Sequence, residues 1–363
     1  MTGRDRRRAA EAGRTGMNGQ SERAVDDSHA PQGQGDAASG AHRRTGGYRR
    51  ALHGLARFGV PLVTLVLFAL FWGLNPDTFP TVANFQVVAA SNSIGLLLAL
   101  AALAPLVGGE FDLSIGFMLE LSAVMTAVLI GQDHVPVVAA LAAVLLAGAV
   151  IGLINGLLIT RVGISSFIAT LGVGSLAGAA SLYLTQGAIL IEGIPRSLID
   201  FGQGFVFGIP NVVGLGLAGI LAFWVVFEHT IFGRKLVAVG LSRRASELVG
   251  VDTGRMLVAS FVVAGVVAAL CGFLSLARTG SASSGIGANY LLPALAACFL
   301  GATAVKVGRF NVLGTGFAVL LVAIGLNGLQ LLGAPGWVEP GFDGAVLLVA
   351  VGASRLAAGA TRR

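Results

Sequence analysis

An all-α membrane protein that crosses the bilayer many times is the fold class this sequence predicts, and three observations carry that prediction. Only 12% of the 363 residues are charged, whereas a soluble domain carries about 25%. Apolar runs of 17 or more residues recur along the chain, a length that suits a hydrocarbon core. The runs are continuous rather than alternating, which favours helices over a closed barrel, the two structures that satisfy their own backbone in lipid. Mean hydropathy is +0.82, and 53 residues are glycine.

The chain begins differently. Residues 1–55 are rich in Arg, Gly, Ser, Asp and Gln, and such a segment buries too little apolar surface to offset its ordering entropy. It reads as a disordered, basic cytoplasmic tail, too long and polar for the start of a cleaved signal peptide. Met1 and Met17 both stay open as the start.

A membrane domain over 56–356 holds ten apolar spans. The first, 58–74, leaves the basic tail. The second and third, 86–107 and 113–131, are joined by GGEFDLSIG. The fourth, 135–160, ends at Arg161. The fifth, 164–186, precedes a longer loop with a short amphipathic element around IPRSLIDF. The sixth, 212–230, runs into an Arg-rich loop at 231–255, which leads to the seventh, 256–277. The eighth, 290–304, is followed by Lys306 and Arg309, the ninth is 311–332, and the tenth, 341–355, leads to a short tail at 357–363.

Basic residues orient these spans. With both termini cytoplasmic, eleven Lys and Arg of the loops and carboxyl end lie inside, and only Arg196 and Arg278 lie outside. The formal charge of +6 is then cytoplasmic loop charge rather than a nucleic-acid footprint. The two cysteines, Cys271 and Cys298, lie in apolar spans and provide no disulfide framework. A faint echo links IGLINGLLI (151–159) to IGLNGLQLL (324–332), placing Asn155 and Asn327 172 residues apart. That offset relates spans running in opposite directions, as two inverted-topology repeats would; chance similarity in Gly- and Leu-rich sequence is the alternative.

Few residues carry chemistry. Gly108 and Gly109 permit a tight turn. Asp112 or Ser114 can cap the third span, in a structural connection or a gating element. Glu120 lies deep in that span, where a carboxylate is costly unless protonated, paired or wet. It lines a pathway or bonds a neighbouring helix. Asn92, Asn155 and Asn327 line a path for a polar solute or tie helices together. No His or carboxylate cluster points to a hydrolytic or metal site.

In the Arg-rich loop, Ser242 can cap a short helix to Leu248, with Gly250 as its stop. Arg243 and Arg244 fall in its first turn, where the helix dipole disfavours cations. An external anion would compensate, either lipid headgroups or an acidic partner surface. The two lysines, Lys235 and Lys306, precede Leu236 and Val307. A phosphate-binding loop needs Gly-Lys-Ser or Gly-Lys-Thr, so this chain holds none of that type.

At these residues the sequence resembles the ribose-type (branched-chain amino acid/sugar) permease subunits of bacterial ABC importers. The resemblance covers about residues 80–352, through GGEFDLSIG (108–116), NGLLITRVGISSFIATLG (155–172), FGRKLVAVGLSRRASELVGV (232–251), LGATAVKVGRFNVLGT (300–315) and NGLQLLG (327–333). It implies a ten-helix inner-membrane permease that pairs with a second permease copy or paralogue. ATPase subunits would bind the cytoplasmic face and carry the ATP and Mg, with no cofactor on this chain. A periplasmic or surface solute-binding protein would deliver a small polar solute, a monosaccharide first. The family's coupling helix falls on Ser242–Val251, comprising Ser242, Arg243, Arg244, Ala245, Ser246, Glu247, Leu248, Gly250 and Val251. The chain departs from the family at Ser242, usually Asn, at Ser246, usually Ala, and at Glu120, usually small and neutral. Its Gly108-Gly109-Glu110-Phe111-Asp112 run is one residue longer than usual. An ion-coupled secondary transporter is the competing reading, and it needs ion sites within the membrane.

Overall fold

The computed structural model describes residues 58–360. The reading of the amino-terminal tail, and of Met1 against Met17, lies outside the described residues. Helix α1 is Phe58–Leu74. It is followed by α2 (Val82–Val107), α3 (Ser114–Ala127), α4 (Val137–Leu157), α5 (Ser166–Thr185) and the short α6 (Arg196–Gln203). A two-residue hairpin, β1 (Phe205–Val206) and β2 (Ile209–Pro210), leads to α7 (Asn211–Trp224), α8 (Ile231–Leu241) and α9 (Arg243–Leu248). Then come α10 (Thr253–Thr279), α11 (Gly287–Gly301), α12 (Val312–Leu331) and α13 (Val338–Ala360). Helices α3, α4 and α7 each end in a π-helical turn, at Val128–Gln132, Leu158–Val162 and Val225–His229. Seven helices are long and apolar enough to cross a membrane: α2, α3, α4, α5, α7, α10 and α12, three of them counted with their π turns. Helices α1 and α11 are apolar but shorter.

Helix α11 ends three residues before the apolar run does. The Asn311 side chain donates to the carbonyls of Gly301 and Ala304, at 3.1 Å each, and accepts from Gly314 N at 2.7 Å. One amide thus folds residues 302–310 into a turn and caps α12.

Helix α10 is the axis of the bundle, packed by α4, α3 and α2. Its buried positions lie all round, as does the 97–106 stretch of α2, the pattern of a helix enclosed by protein. The α4–α10 contact is built on small residues. Gly148, Gly152 and Gly156 recur every four residues on α4, so they share one face. A Cβ on Gly148 would overlap the Gly265 carbonyl, and one on Gly152 the Phe261 carbonyl. A Cβ on Gly156 would stand 2.8 Å from Val258 Cα. Close backbone approach of this kind is how apolar helices gain contact in lipid, where no hydrophobic drive brings them together.

Gly148→Ala and Gly265→Ala are expected to lower the thermal midpoint of the purified protein markedly. Gly95→Ala, whose Cβ would enter open space on α2, is expected to hold or raise it, since glycine costs about 1 kcal/mol against alanine within a helix. A thermal shift series on the three variants checks both.

Candidate functional site

The Arg-rich loop is a pair of helices with explicit caps. Thr230 Oγ1 accepts from Gly233 N at 3.2 Å and opens α8. The backbone of α8 lies against the end of α2, where a Cβ on Gly240 would overlap the Val107 carbonyl. Ser242 closes α8 by donating its N–H to Ala238 O. It then opens α9, its hydroxyl accepting from Ala245 N at 3.3 Å. Gly250, at φ +81°, turns the chain out of α9, with Val251 N donating to Ser246 O. Thr253 donates to Glu247 Oε1 at 2.8 Å, and Asp252 caps α10 by accepting from Arg255 N at 2.9 Å. Ser246 faces inward, whereas Arg243, Arg244, Ala245, Glu247 and Leu248 are exposed. Leu248 and Val249 are 83% and 79% exposed, so α9 presents an uncovered apolar tip beside two cations.

For Arg243 the expected external anion is corrected. Its partner is inside the chain, where Arg243 Nη2 lies 2.5 Å from Glu110 Oε1. The arginine is half exposed, so the pair contributes at most about 1 kcal/mol, but it ties α9 to the α2–α3 connection. In the same place a Cβ on Gly109, which sits at φ +86°, would stand 3.6 Å from Gly240 Cα.

Between α2 and α3 the backbone leaves the helix, and α5 supplies two of its acceptors. Glu110 N donates back to Pro105 O. Phe111 N donates to Ser166 Oγ at 3.3 Å and Leu113 N to Thr170 Oγ1 at 3.0 Å. Ser166 and Thr170 stand four apart on one face of α5. Asp112 Oδ1 accepts from Ser114 N at 2.9 Å and from Ser114 Oγ at 2.6 Å, so the opening of α3 is held by Asp112. Asn155, fully buried on α4, donates to Ser114 Oγ at 2.8 Å. Asp112 Oδ2 and Asn155 Oδ1 are buried and accept no hydrogen bond from the protein.

The opening of α11 is arranged in a similar way. Glu120, buried on α3, accepts from Gly287 N at 3.1 Å, where the helix dipole also favours a carboxylate. Helices α3 and α11 cross with Gly116 and Gly287 against each other, each so close that a Cβ on either would overlap the other's carbonyl. Of the two readings of Glu120, the structure displays the bond to a neighbouring helix. Asn327 and Asn84 exchange two hydrogen bonds of 3.0 and 2.9 Å and tie α12 to α2. Asn92 is half-buried and donates to Val88 O within its own helix. Asn155 and Asn327, paired by the sequence echo, therefore make different contacts. Ser166, Thr170, Glu110 and Asn84 were not singled out from sequence; the hydroxyl pair spaced by four on an apolar helix was the available signal. Among the described residues no group of three or more His, Cys, Asp or Glu side chains could hold a metal ion.

A bundle of apolar helices with buried polar crossings and a charged, capped helix pair at one end defines an integral-membrane transport subunit. Residues 84–351 match the family described as branched-chain amino acid transport system / permease component. The chain belongs to this family, as the permease subunit of an ATP-binding-cassette importer, and it is a multi-pass protein of the bacterial inner membrane. It is similar to the autoinducer 2 import system permease protein LsrD of Photorhabdus laumondii, 31% identical over 81% of this chain and 89% of the relative. It is also similar to LsrD of Photorhabdus luminescens, 32% identical over 74% of this chain and 82% of the relative. The figures for LsrD of Yersinia pseudotuberculosis are 33%, 79% and 87%. No solved structure matches the chain significantly.

The Glu120 contact has two testable outcomes. Glu120→Gln keeps an acceptor for Gly287 N and is expected to be tolerated. Glu120→Leu leaves that N–H unpaired and is expected to cost about 1–3 kcal/mol, read as a lower thermal midpoint and folded yield.

Proposed function

We propose that this chain carries a small sugar-like solute across the inner membrane, and that α9, within Ser242–Val251, is the helix through which a partner ATPase drives it. The observation that carries this reading is the geometry of α9. It is a short capped helix, fixed at its base by Glu110 and Gly240, with Arg244, Glu247 and Leu248 uncovered. A partner gripping that tip would move the α2–α3 connection with it. ATP and Mg belong on the partner, since the lysine sequence context supplies no phosphate loop of the Gly-Lys-Ser/Thr type. A second permease copy or paralogue completes the pathway, and a solute-binding protein delivers the solute. The relatives are named for autoinducer 2 import, so autoinducer 2 is the first solute to test, ahead of the monosaccharides.

Ten crossings complete the topology in this reading: the seven long helices together with α1, α11 and α13. The positive-inside asymmetry places α9 and both termini in the cytoplasm. Two inverted repeats are supported by the packing. An offset near 172 residues relates α2 to α10, α3 to α11, α4 to α12 and α5 to α13. Under that exchange, the α3–α10, α4–α10 and α3–α5 contacts correspond to α11–α2, α12–α2 and α11–α13, all of which occur. Gly116 and Gly287 then lie near the pseudo-twofold axis. Of the pathway candidates, Asn92 is the first to test, because its side chain bonds only Val88 O of its own helix among the described residues. The secondary-transporter alternative is less favoured, since Glu120 is engaged with Gly287 N.

In the reconstituted complex, Arg244→Glu with Leu248→Glu is expected to reduce uptake and solute-stimulated ATP hydrolysis by about tenfold or more, on the order of a lost interface hot spot. The charge swap Glu110→Arg with Arg243→Glu is expected to recover most of what either change alone loses. Full stimulated hydrolysis by the Arg244/Leu248 variant would overturn the role of α9. Ion-driven uptake by the chain alone in liposomes would establish the alternative.

A further inference from the structure

A cleft of about 560 Å³ opens beside α8, away from the exposed tip of α9. Its floor is apolar, made by Leu103, Leu106, Val107, Phe227, Phe310 and Val312. Its rim is cationic, with Arg234, Lys306 and Arg309 against the single carboxylate of Glu228. Glu228 is already neutralised by an ion pair with Lys306. Arg234 is oriented by a hydrogen bond of 3.2 Å from its Nη1 to His229 O. Arg309 is exposed on the rim.

The rim is built rather than loose. Lys306 N donates to Ala304 O at 2.6 Å across Val305, which sits at φ +57°. That is the strained γ-turn conformation, unusual for a β-branched residue. Gly308 N donates to Ala302 O, Arg309 N to Lys306 O, and Asn311 Nδ2 to Arg309 O. The turn therefore holds Lys306 and Arg309 on the same rim as Arg234.

The cleft also continues sideways. A second cavity, of about 340 Å³, shares Glu228, Lys306 and Asn311 with it and adds Trp224, His229, Val305 and Leu313. Helices α7 and α12 meet just beyond, at Ile220 and Gly316. Their flanks expose Leu221 and Val225 on α7, and Leu313 and Phe317 on α12. A basic pocket whose apolar floor leads out between two exposed apolar helices fits a molecule with an anionic head and hydrocarbon tails. A free phosphate would have no use for the floor, and an acidic protein loop no use for the lateral seam.

We propose that this cleft binds one anionic phospholipid, its phosphate among Arg234, Lys306 and Arg309 and its acyl chains along the α7–α12 seam. Basic pockets between membrane helices hold anionic headgroups by this combination of charge and depth. The site shares Gly109 and Gly240 with the base of α9 but none of the exposed residues of its tip.

The test uses the full chain in nanodiscs of phosphatidylcholine, with and without phosphatidylglycerol. Retained lipid is read by native mass spectrometry and stability by thermal shift. Wild type is expected to retain phosphatidylglycerol over phosphatidylcholine and to be stabilised by it. Arg234→Gln with Arg309→Gln is expected to lose roughly tenfold or more of that preference. Arg309→Lys, which keeps the charge, and Arg161→Gln, a basic residue outside the cleft, are expected to keep it and also report on folding. An unchanged preference in the double glutamine variant would overturn the proposal. So would equal stabilisation by inorganic phosphate in phosphatidylcholine alone, or loss of the bound lipid when the ATPase is added.

Discussion

Every backbone amide that lies inside a bilayer has to find its partner within the protein, because lipid offers none. Most of this chain meets that requirement with helices. The exception that shapes the rest is the stretch from Gly108 to Leu113, which leaves helical geometry before α3 begins. Glu110 N, Phe111 N and Leu113 N are taken by Pro105 O, Ser166 Oγ and Thr170 Oγ1, and Asp112 receives Ser114 N. Those acceptors fix where α5 must lie, where α3 starts, and how far α2 can run. At the other crossing, Glu120 does the same for the start of α11. Two helices thus open in the interior, each with a carboxylate at its first turn, and they meet at two glycines without a side chain between them.

That arrangement turns local geometry into a mechanical connection. The unsupported stretch carries Glu110, and Glu110 holds Arg243 at the base of α9. The α8 backbone rests on the Val107 carbonyl at the end of α2. Phe111 stacks on Phe299 of α11, with ring centroids 6.0 Å apart. These contacts join the base of α9 to the opening of α3 and to the carboxyl end of α11. Surface ion pairs contribute little stability, so the value of the Glu110 pair is in direction rather than strength.

The outline of this fold was legible in the sequence because apolar runs must match membrane thickness. Seven of the runs correspond to helices long and apolar enough to cross a membrane, and the Ser242 and Gly250 punctuation lies at the two ends of α9. Local signals could not show pairings between distant segments. Glu110 gave no sign that it would meet a residue 133 positions later. Ser166 and Thr170 look like ordinary polar interruptions until the extended segment lies beside them. The early end of α11 was hidden because residues 302–304 are small and apolar enough to continue the run, and only the Asn311 amide stops it. The π turns leave no mark in the hydrophobic pattern either.

The α4–α10 seam sets a condition on how the chain is made. The glycine face of α4 is complete at Gly156, but its partner residues Val258, Phe261 and Gly265 lie about a hundred positions further on. At typical synthesis rates that interval lasts on the order of ten seconds. Helix α4 must wait with its glycine face uncovered by α10 while the chain from α5 to α9 is made. A ribosome that stalled within that window would leave the slot along Gly148, Gly152 and Gly156 open to another small-faced helix.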